Sequence, residues 1–322
     1  MEDERRYRSR KRKKKRTGLK IVLVLLILAL VGVGGYVFNV YRHVNKATDD
    51  IYTPIAEEEV DDLRGSAVTL SSKEPISILL LGVDSGDLGR TEQGRSDSIM
   101  VATVNPTTKK TTLMSIPRDT YAEIVGYGTW DKINHAYAFG GTGMSINSIQ
   151  NFLNIPIDYY VTVNMAGIQE IVNAVGGVDV VSPLTFTQDG YTFYEGQVNH
   201  MDGAAALAFA RMRYEDSEGD MGRQKRQQLI IEGVIDKVIS PSTLFNYQDI
   251  LGSLSNNIQT NFQSSDYLKL QSNDYLAAAR NIQSEQLSGS GSTLSDGVWY
   301  YFVPDEELYR IQSLLRTELE LE

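Results

Sequence analysis

Between Arg211 and Arg226 the sequence reads RMRYEDSEGDMGRQKR, and five of these residues are basic: Arg211, Arg213, Arg223, Lys225 and Arg226. The concentration stands out because beyond residue 20 the chain has 20 basic against 38 acidic side chains, a net charge of −18. Arg223 follows a glycine-containing loop and opens a helical pattern, and a helix N-terminus beside guanidinium groups favours a bound anion. Arg223, Arg226, Gln227 and Ile230 recur at spacings of three and four. They therefore share a helix face that runs on into Ile230, Val234 and Val238. A cationic head adjoins an apolar stripe. The ordinary alternative is salt bridging to Glu215, Asp216, Glu218 and Asp220 of the same loop, which suits Lys225 and Arg226 best. Arg211 and Arg213 emerge from an Ala-rich helix expected to be buried, and buried guanidinium groups need fixed anionic partners.

Carboxylates supply the second half of a candidate site. Asp84 ends an apolar run in LLLGVDSG, and Asp97 stands in GRSDS just before the next one. Aspartates at the mouths of neighbouring strands can converge on a hard cation such as Mg²⁺ or Mn²⁺. With three His (His43, His135, His200) and no Cys, a zinc centre is not expected. Arg118 in SIPRD follows a third strand pattern, so carboxylates and guanidinium would face one crevice able to hold a metal ion and a pyrophosphate together. Other chemistries lack their residues. Gly140-Gly-Thr-Gly143 has no GK[ST] after it, no GxGxxG follows a strand, and there is no GxSxG. Asp131 and Asn134 in DKINH read as a helix start around His135 rather than as a catalytic histidine motif.

These residues need rigid elements to hold them. Strand patterns fall at 76–81 (ISILLL), 98–104, 111–116, 159–163, 178–181 and 298–303, and helical ones at 133–139, 146–153, 165–175, 203–210, 221–239, 265–282 and 305–319. Asp202 is placed as an N-cap, Gly176-Gly177 as a helix stop, and 288–295 as a Ser/Gly-rich loop. The alternation predicts an α/β domain with helices on the faces of a central sheet.

The first residues address location. Residues 1–20 hold eleven Lys/Arg against three acidic residues, +8, and Ile21–Phe38 has no charged side chain over eighteen residues. As a helix that run is about 27 Å long, matching a hydrocarbon core of roughly 30 Å. It exceeds a signal-peptide core and lacks a small-x-small cleavage site, so it reads as an uncleaved anchor. Positive charge beside a spanning helix stays in the cytoplasm. The expected layout is a cytoplasmic basic tail (1–20), a transmembrane helix (21–40), an extracellular stalk (41–73) and an exterior domain (74–320). The tail needs no nucleic-acid role, since topology and anionic-lipid contact account for it.

The ordered series LLLGVD (79–84), GRSDSIMVATVNP (94–106), SIPRDT (115–120), DKINHAYAFGG (131–141), IPIDYYVTVN (155–164), IVNAVGGVDV (171–180) and ALAFARMRYEDSEGDMGRQKRQQ (206–228) resembles the LytR-CpsA-Psr family over roughly residues 75–240. The resemblance implies an α/β/α fold around a mixed sheet, with helices enclosing an apolar channel for a polyprenyl tail. It implies a Gram-positive cell-wall phosphotransferase. Such an enzyme takes an anionic glycopolymer, a teichoic acid or capsule polysaccharide, from undecaprenyl pyrophosphate and joins it by a phosphodiester to the C6 hydroxyl of N-acetylmuramic acid in peptidoglycan. Metal positions of the family fall on Asp84 and Asp97. Pyrophosphate positions fall on Arg95, Arg118, Arg211, Arg213, Arg223 and Gln227, with Asp220 nearby. Ser217 and Phe209 replace a common Pro and Tyr without removing a charge. Arg118, Arg211, Arg213 and Asp220 are the expected catalytic groups, and Asp97 or Asp220 the candidate bases for the sugar hydroxyl. A regulatory lipid-binding protein or a lipid pyrophosphatase would use the same groups.

Overall fold

A six-stranded sheet organises the domain in the computed structural model, which describes residues 51–321 apart from 56–59, 62, 85–93, 241–256, 264, 267–268 and 271–273. The first strands are β1 (Ile76–Val83), β2 (Ser96–Asn105) and β3 (Lys110–Ile116), consecutive and antiparallel. They are rich in Ile, Val, Leu and Thr and buried on both faces, as a sheet covered by helices requires. A hairpin follows, β4 (Tyr121–Ile124) with β5 (Thr129–Lys132), and then helix α1 (His135–Leu153), interrupted at Gly140 and Gly141. The separate helical patterns at 133–139 and 146–153 are thus one kinked helix.

Strand β6 (Tyr159–Asn164) returns beside β1 in parallel register. Helix α2 (Met165–Ala174) starts at once, its N-cap Asn164 accepting from the Gly167 N–H at 2.7 Å. A small β-subdomain, β7 (Val178–Val181), β8 (Phe186–Gln188), β9 (Tyr191–Phe193) and β10 (Val198–Met201), leads to α3 (Gly203–Arg211). Asp202 caps α3 as the sequence predicts, accepting from the Ala205 N–H. Helix α4 (Asp220–Val238) carries the basic cluster.

The last third departs most from expectation. Strand β11 (Ile258–Thr260) pairs with β6; among the described residues of the helix expected at 265–282, Ser265, Asp266, Lys269 and Leu270 are helical, as is Tyr275–Ala279 (α5), while Tyr267 and Leu268 lie outside the described residues. Ile282 begins β12 (Ile282–Gln286), parallel to β3 at the sheet edge. Its placement comes from backbone pairing with Thr111–Ser115, which a polar edge strand satisfies without apolar periodicity. The loop expected at 288–295 contains β13 (Ser290–Thr293), which pairs with β14 (Trp299–Phe302), and α6 (Asp305–Glu318) follows.

The sheet order is β11-β6-β1-β2-β3-β12, a mixed sheet. On one face Leu79, Leu81, Val101 and Met114 pack against Ile146 and Ile149 of α1 and Ile311 and Leu315 of α6. On the other, Leu80, Met100, Ala102 and Leu113 meet Ile231 of α4. Part of the expected stalk also joins this body. Ile51 and Leu70 are buried, Tyr52 bridges to Thr260, and Arg64 pairs with Asp158 at 2.7 Å. Apolar residues at 51, 55, 60 and 70 cover domain surface rather than standing off it. The anchor expected at 21–40 lies outside the described residues. Among those described, no helix is long and apolar enough to cross a membrane.

Candidate active site

The site forms where the ends of β1, β2 and β3 meet the first turn of α4. At the β1/β2 pairing Gly82 faces Ser98 while Val83 faces Ser96, leaving Asp97 as the extra residue of a bulge. Bulges re-aim a side chain, and here the Asp97 carboxylate accepts from Arg118 Nη1 at 2.8 Å. Asp84 directly follows β1, its N–H donating to the Arg95 carbonyl at 3.0 Å. Arg95 is exposed at the rim.

Arg118 sits in a tight turn after β3. The Thr120 hydroxyl and N–H both donate to the Pro117 carbonyl, and the Asn134 N–H reaches the Arg118 carbonyl at 3.3 Å. Burial works against the Arg118 charge, yet Asp97, Asp220 and Asp119 together hold its pKa above the ordinary value. Arg223, in the first turn of α4, shows the opposite balance. Burial lowers its pKa, opposed by Asp220 and Asp97, while the cationic neighbours Arg118 and Arg213 lower it further. Four sequence-distant groups thus act on one another: Asp97, Arg118, the loop residue Arg213, and the Asp220–Arg223 pair at 2.7 Å.

Several polar atoms of this cluster are buried without a hydrogen bond: Arg118 Nε, Arg223 Nε and Nη2, Asp220 Oδ1, and Gln224 and Gln227 Oε1. Arg223 Nη2 lies close to Asp220, so that contact is ionic without hydrogen-bond direction. Buried donors left open cost free energy unless a ligand completes them. Guanidinium N–H groups call for an anion. Beside them opens an apolar cavity between the sheet and helices α2, α3 and α4, lined by Leu80, Val163, Ile171, Ile230 and Val234, with Arg211 and Gln227 among its polar residues. The predicted stripe on α4 thus lines it through Val234, whereas Val238 is 42% exposed and lies beyond it.

Two expectations about the arginines change. Arg211 and Arg213 are exposed although α3 itself is buried, because they follow its last buried turn. Among the described residues, the fully buried guanidinium is that of Arg226. It donates from Nε to the Phe209 carbonyl at 3.2 Å, binds the Met212 carbonyl and Asp216, and lies 5.4 Å from the Phe186 ring centroid. Arg226 therefore fixes the backbone on both sides of Arg211. The salt-bridge reading of Lys225 and Arg226 holds, through Glu218 and Asp216, but understates Arg226. Its place on the same helix face as the buried Ile230 was the available signal. Asp119 and Lys132, paired at 2.7 Å beside Arg118, are further members that spacing did not indicate.

A Cβ on Gly222 would overlap the Asp216 carboxylate, which Arg226 and the Glu218 N–H already hold. Gly222→Ala is expected to cost about 1–3 kcal/mol, the range for overpacking. An unchanged urea midpoint would show that the loop yields freely.

No group of three or more metal-ligating side chains occurs among the described residues. Of the two carboxylates expected to hold a hard cation, Asp84 lies just past β1 and Asp97 in the β2 bulge, with one Asp97 oxygen already bound by Arg118.

The profile of the LytR_cpsA_psr family matches residues 37–317. The chain belongs to that family. An Enterococcus faecalis relative named polyisoprenyl-teichoic acid--peptidoglycan teichoic acid transferase TagU is 48% identical over 289 residues, covering 90% of this chain and 92% of the relative. Among solved structures, the Bacillus subtilis TagU crystal structure is 37% identical with a TM-score of 0.63, covering 78% of this chain and 99% of that one. A structure described as TagT bound to LI-WTA is 27% identical with a TM-score of 0.69, covering 84% and 100%.

Proposed function

We propose that this site transfers an anionic glycopolymer from a polyisoprenyl-pyrophosphate carrier to peptidoglycan. The observation that carries the reading is the set of buried, incompletely bonded Arg118, Arg223 and Gln227 atoms beside a cavity with apolar walls. One ligand meets both demands: a pyrophosphate with a hydrocarbon tail. Relatives named as teichoic acid transferases support the substrate class.

In the finer reading the acceptor is the C6 hydroxyl of N-acetylmuramic acid. Its oxygen forms a bond to the phosphorus carrying the polymer, the bond from that phosphorus to the bridging oxygen breaks, and undecaprenyl phosphate leaves. A phosphodiester results. Phosphoryl transfer depends on positioning and charge stabilisation more than on a covalent nucleophile. Arg118 and Arg223 stabilise the charge developing on the pyrophosphate, Arg211 and Gln227 position it at the cavity, and Asp97 or Asp220 takes the hydroxyl proton. Asp84 and Asp97 would hold Mg²⁺ or Mn²⁺, which supplies additional charge neutralisation when bound. A membrane anchor at 21–40 with an extracellular domain would bring the site to both substrates.

The test incubates the full-length protein with Mg²⁺, a polyprenyl-pyrophosphate-linked polymer and soluble glycan strands. A covalent conjugate with release of polyprenyl phosphate is expected. Release of polyprenyl phosphate and a free polymer phosphate without conjugate would make it a pyrophosphatase, and binding without turnover would make it a lipid-binding regulator.

A further inference from the structure

Next to Arg118 stands a cluster of aromatic rings that the transfer chemistry does not use, with Trp130 exposed, Tyr121 and Phe302 half-buried and Tyr300 buried beneath them. On the β4–β5 hairpin, Tyr121 pairs with Lys132 and Glu123 with Trp130, so these four side chains share one face. The Tyr121 ring lies 5.5 Å from Trp130, 5.1 Å from Tyr300 and 5.3 Å from Phe302, centroid to centroid. Trp130 is 57% exposed. At the hairpin tip Tyr127, 56% exposed, stacks on Phe139 at 4.2 Å.

The cluster is continuous with the arginine site. Asp119 Oδ2 lies 3.6 Å from Arg118 Nε, its other oxygen binds Lys132 Nζ at 2.7 Å, and that ammonium stands 5.9 Å from the Tyr300 centroid. The hairpin is also tied down, since the Ile133 N–H donates to the Thr120 carbonyl and the Tyr301 N–H to the Asp119 carbonyl. Glu123 and Asn151, hydrogen-bonded at 3.3 Å, provide a polar edge.

Exposed apolar surface of this kind marks an interaction site. Pyranose rings have faces of C–H groups and edges of hydroxyls; the faces suit the electron-rich faces of aromatic rings, and the edges suit charged and amide groups. A lipid surface fits poorly, since the chain beyond residue 20 carries −18 and gains nothing from anionic headgroups. We infer that the Trp130–Tyr121–Phe302 face is the docking platform for the acceptor glycan strand, which runs along the hairpin and delivers its hydroxyl to the Arg118 end. The inference rests on the transferase reading for the identity of the acceptor and deepens it.

Only two tryptophans occur in the chain, Trp130 and Trp299. In full-length Trp299→Phe protein, Trp130 is therefore the sole tryptophan reporter. Titration with a peptidoglycan-derived tetrasaccharide should shift and saturate its emission. Trp130→Ala should raise the KM for glycan about tenfold, the loss of one good stacking contact, with kcat and the KM for lipid donor unchanged. Trp130→Phe should restore much of the affinity. A flat titration beside normal transfer, an unchanged glycan KM in Trp130→Ala, or a change confined to the donor KM would each overturn the platform. So would sedimentation showing that Trp130→Ala dissolves a dimer, which would make this face an interface between copies. Saturable glycan binding in a protein that transfers nothing would keep the platform and sink the transferase.

Discussion

Arg118→Ala and Arg211→Ala are each expected to reduce conjugate formation by about 10²–10³-fold, the usual cost of deleting one preorganised donor that faces developing charge. Arg118 is the stronger case. Its Nη1 is committed to Asp97, and its buried Nε, 3.6 Å from Asp119, makes no hydrogen bond, so one guanidinium orients a carboxylate and still has unfilled donor capacity for the ligand. Arg211 lines the cavity that Gln227 shares, where head group and tail of the lipid carrier would join. Arg118→Lys should rescue little, because a single ammonium cannot bind Asp97 and a phosphate in the geometry of a planar fork. Initial rates with polymer-loaded lipid and glycan strands measure the effect, with circular dichroism as the check on folding. Near-normal rates in folded Arg118→Ala and Arg211→Ala proteins would remove the assignment of the site.

The second large effect concerns stability. Arg226→Ala should destabilise the domain by about 3–5 kcal/mol, because removing one partner of a buried ion pair leaves the other uncompensated. The loss also strips hydrogen bonds from the Phe209 and Met212 carbonyls and leaves the Asp216 carboxylate, whose side chain is 7% exposed, without its counter-ion. Since those carbonyls flank Arg211, transfer should fall with stability, and Arg226→Lys should recover neither fully. Urea denaturation gives the first quantity and residual transfer well below the transition gives the second. A midpoint unchanged in Arg226→Ala would mean that the loop is held by other contacts.

Much of the frame was legible in order along the chain. The apolar runs at 76–81, 98–104 and 111–116 became β1, β2 and β3; Asp202 capped α3; and the 3.6-residue pattern of 221–239 became α4 to within a residue. Burial of short β-branched runs and capping are local consequences of residue type, so sequence determines them directly. Residue type also singled out Asp97, Arg118 and Arg223 as charged groups, and the structure brings these three together with Asp220.

Position in space was decided elsewhere. No spacing indicates that Asp97 is a bulge residue, that Ile282 opens an edge strand beside β3, or that β14 docks along Thr120 and brings Tyr300 and Phe302 onto the Tyr121 ring. Each depends on backbone pairing between segments up to about 180 residues apart, and such pairing leaves no periodic trace in either segment. The arginines make the same point. Composition identified a cationic cluster, but only the packing of α4 against α3 determined that Arg226 is enclosed as a strut while Arg211 and Arg213 stay exposed, because burial belongs to the pair of surfaces in contact and not to either sequence alone.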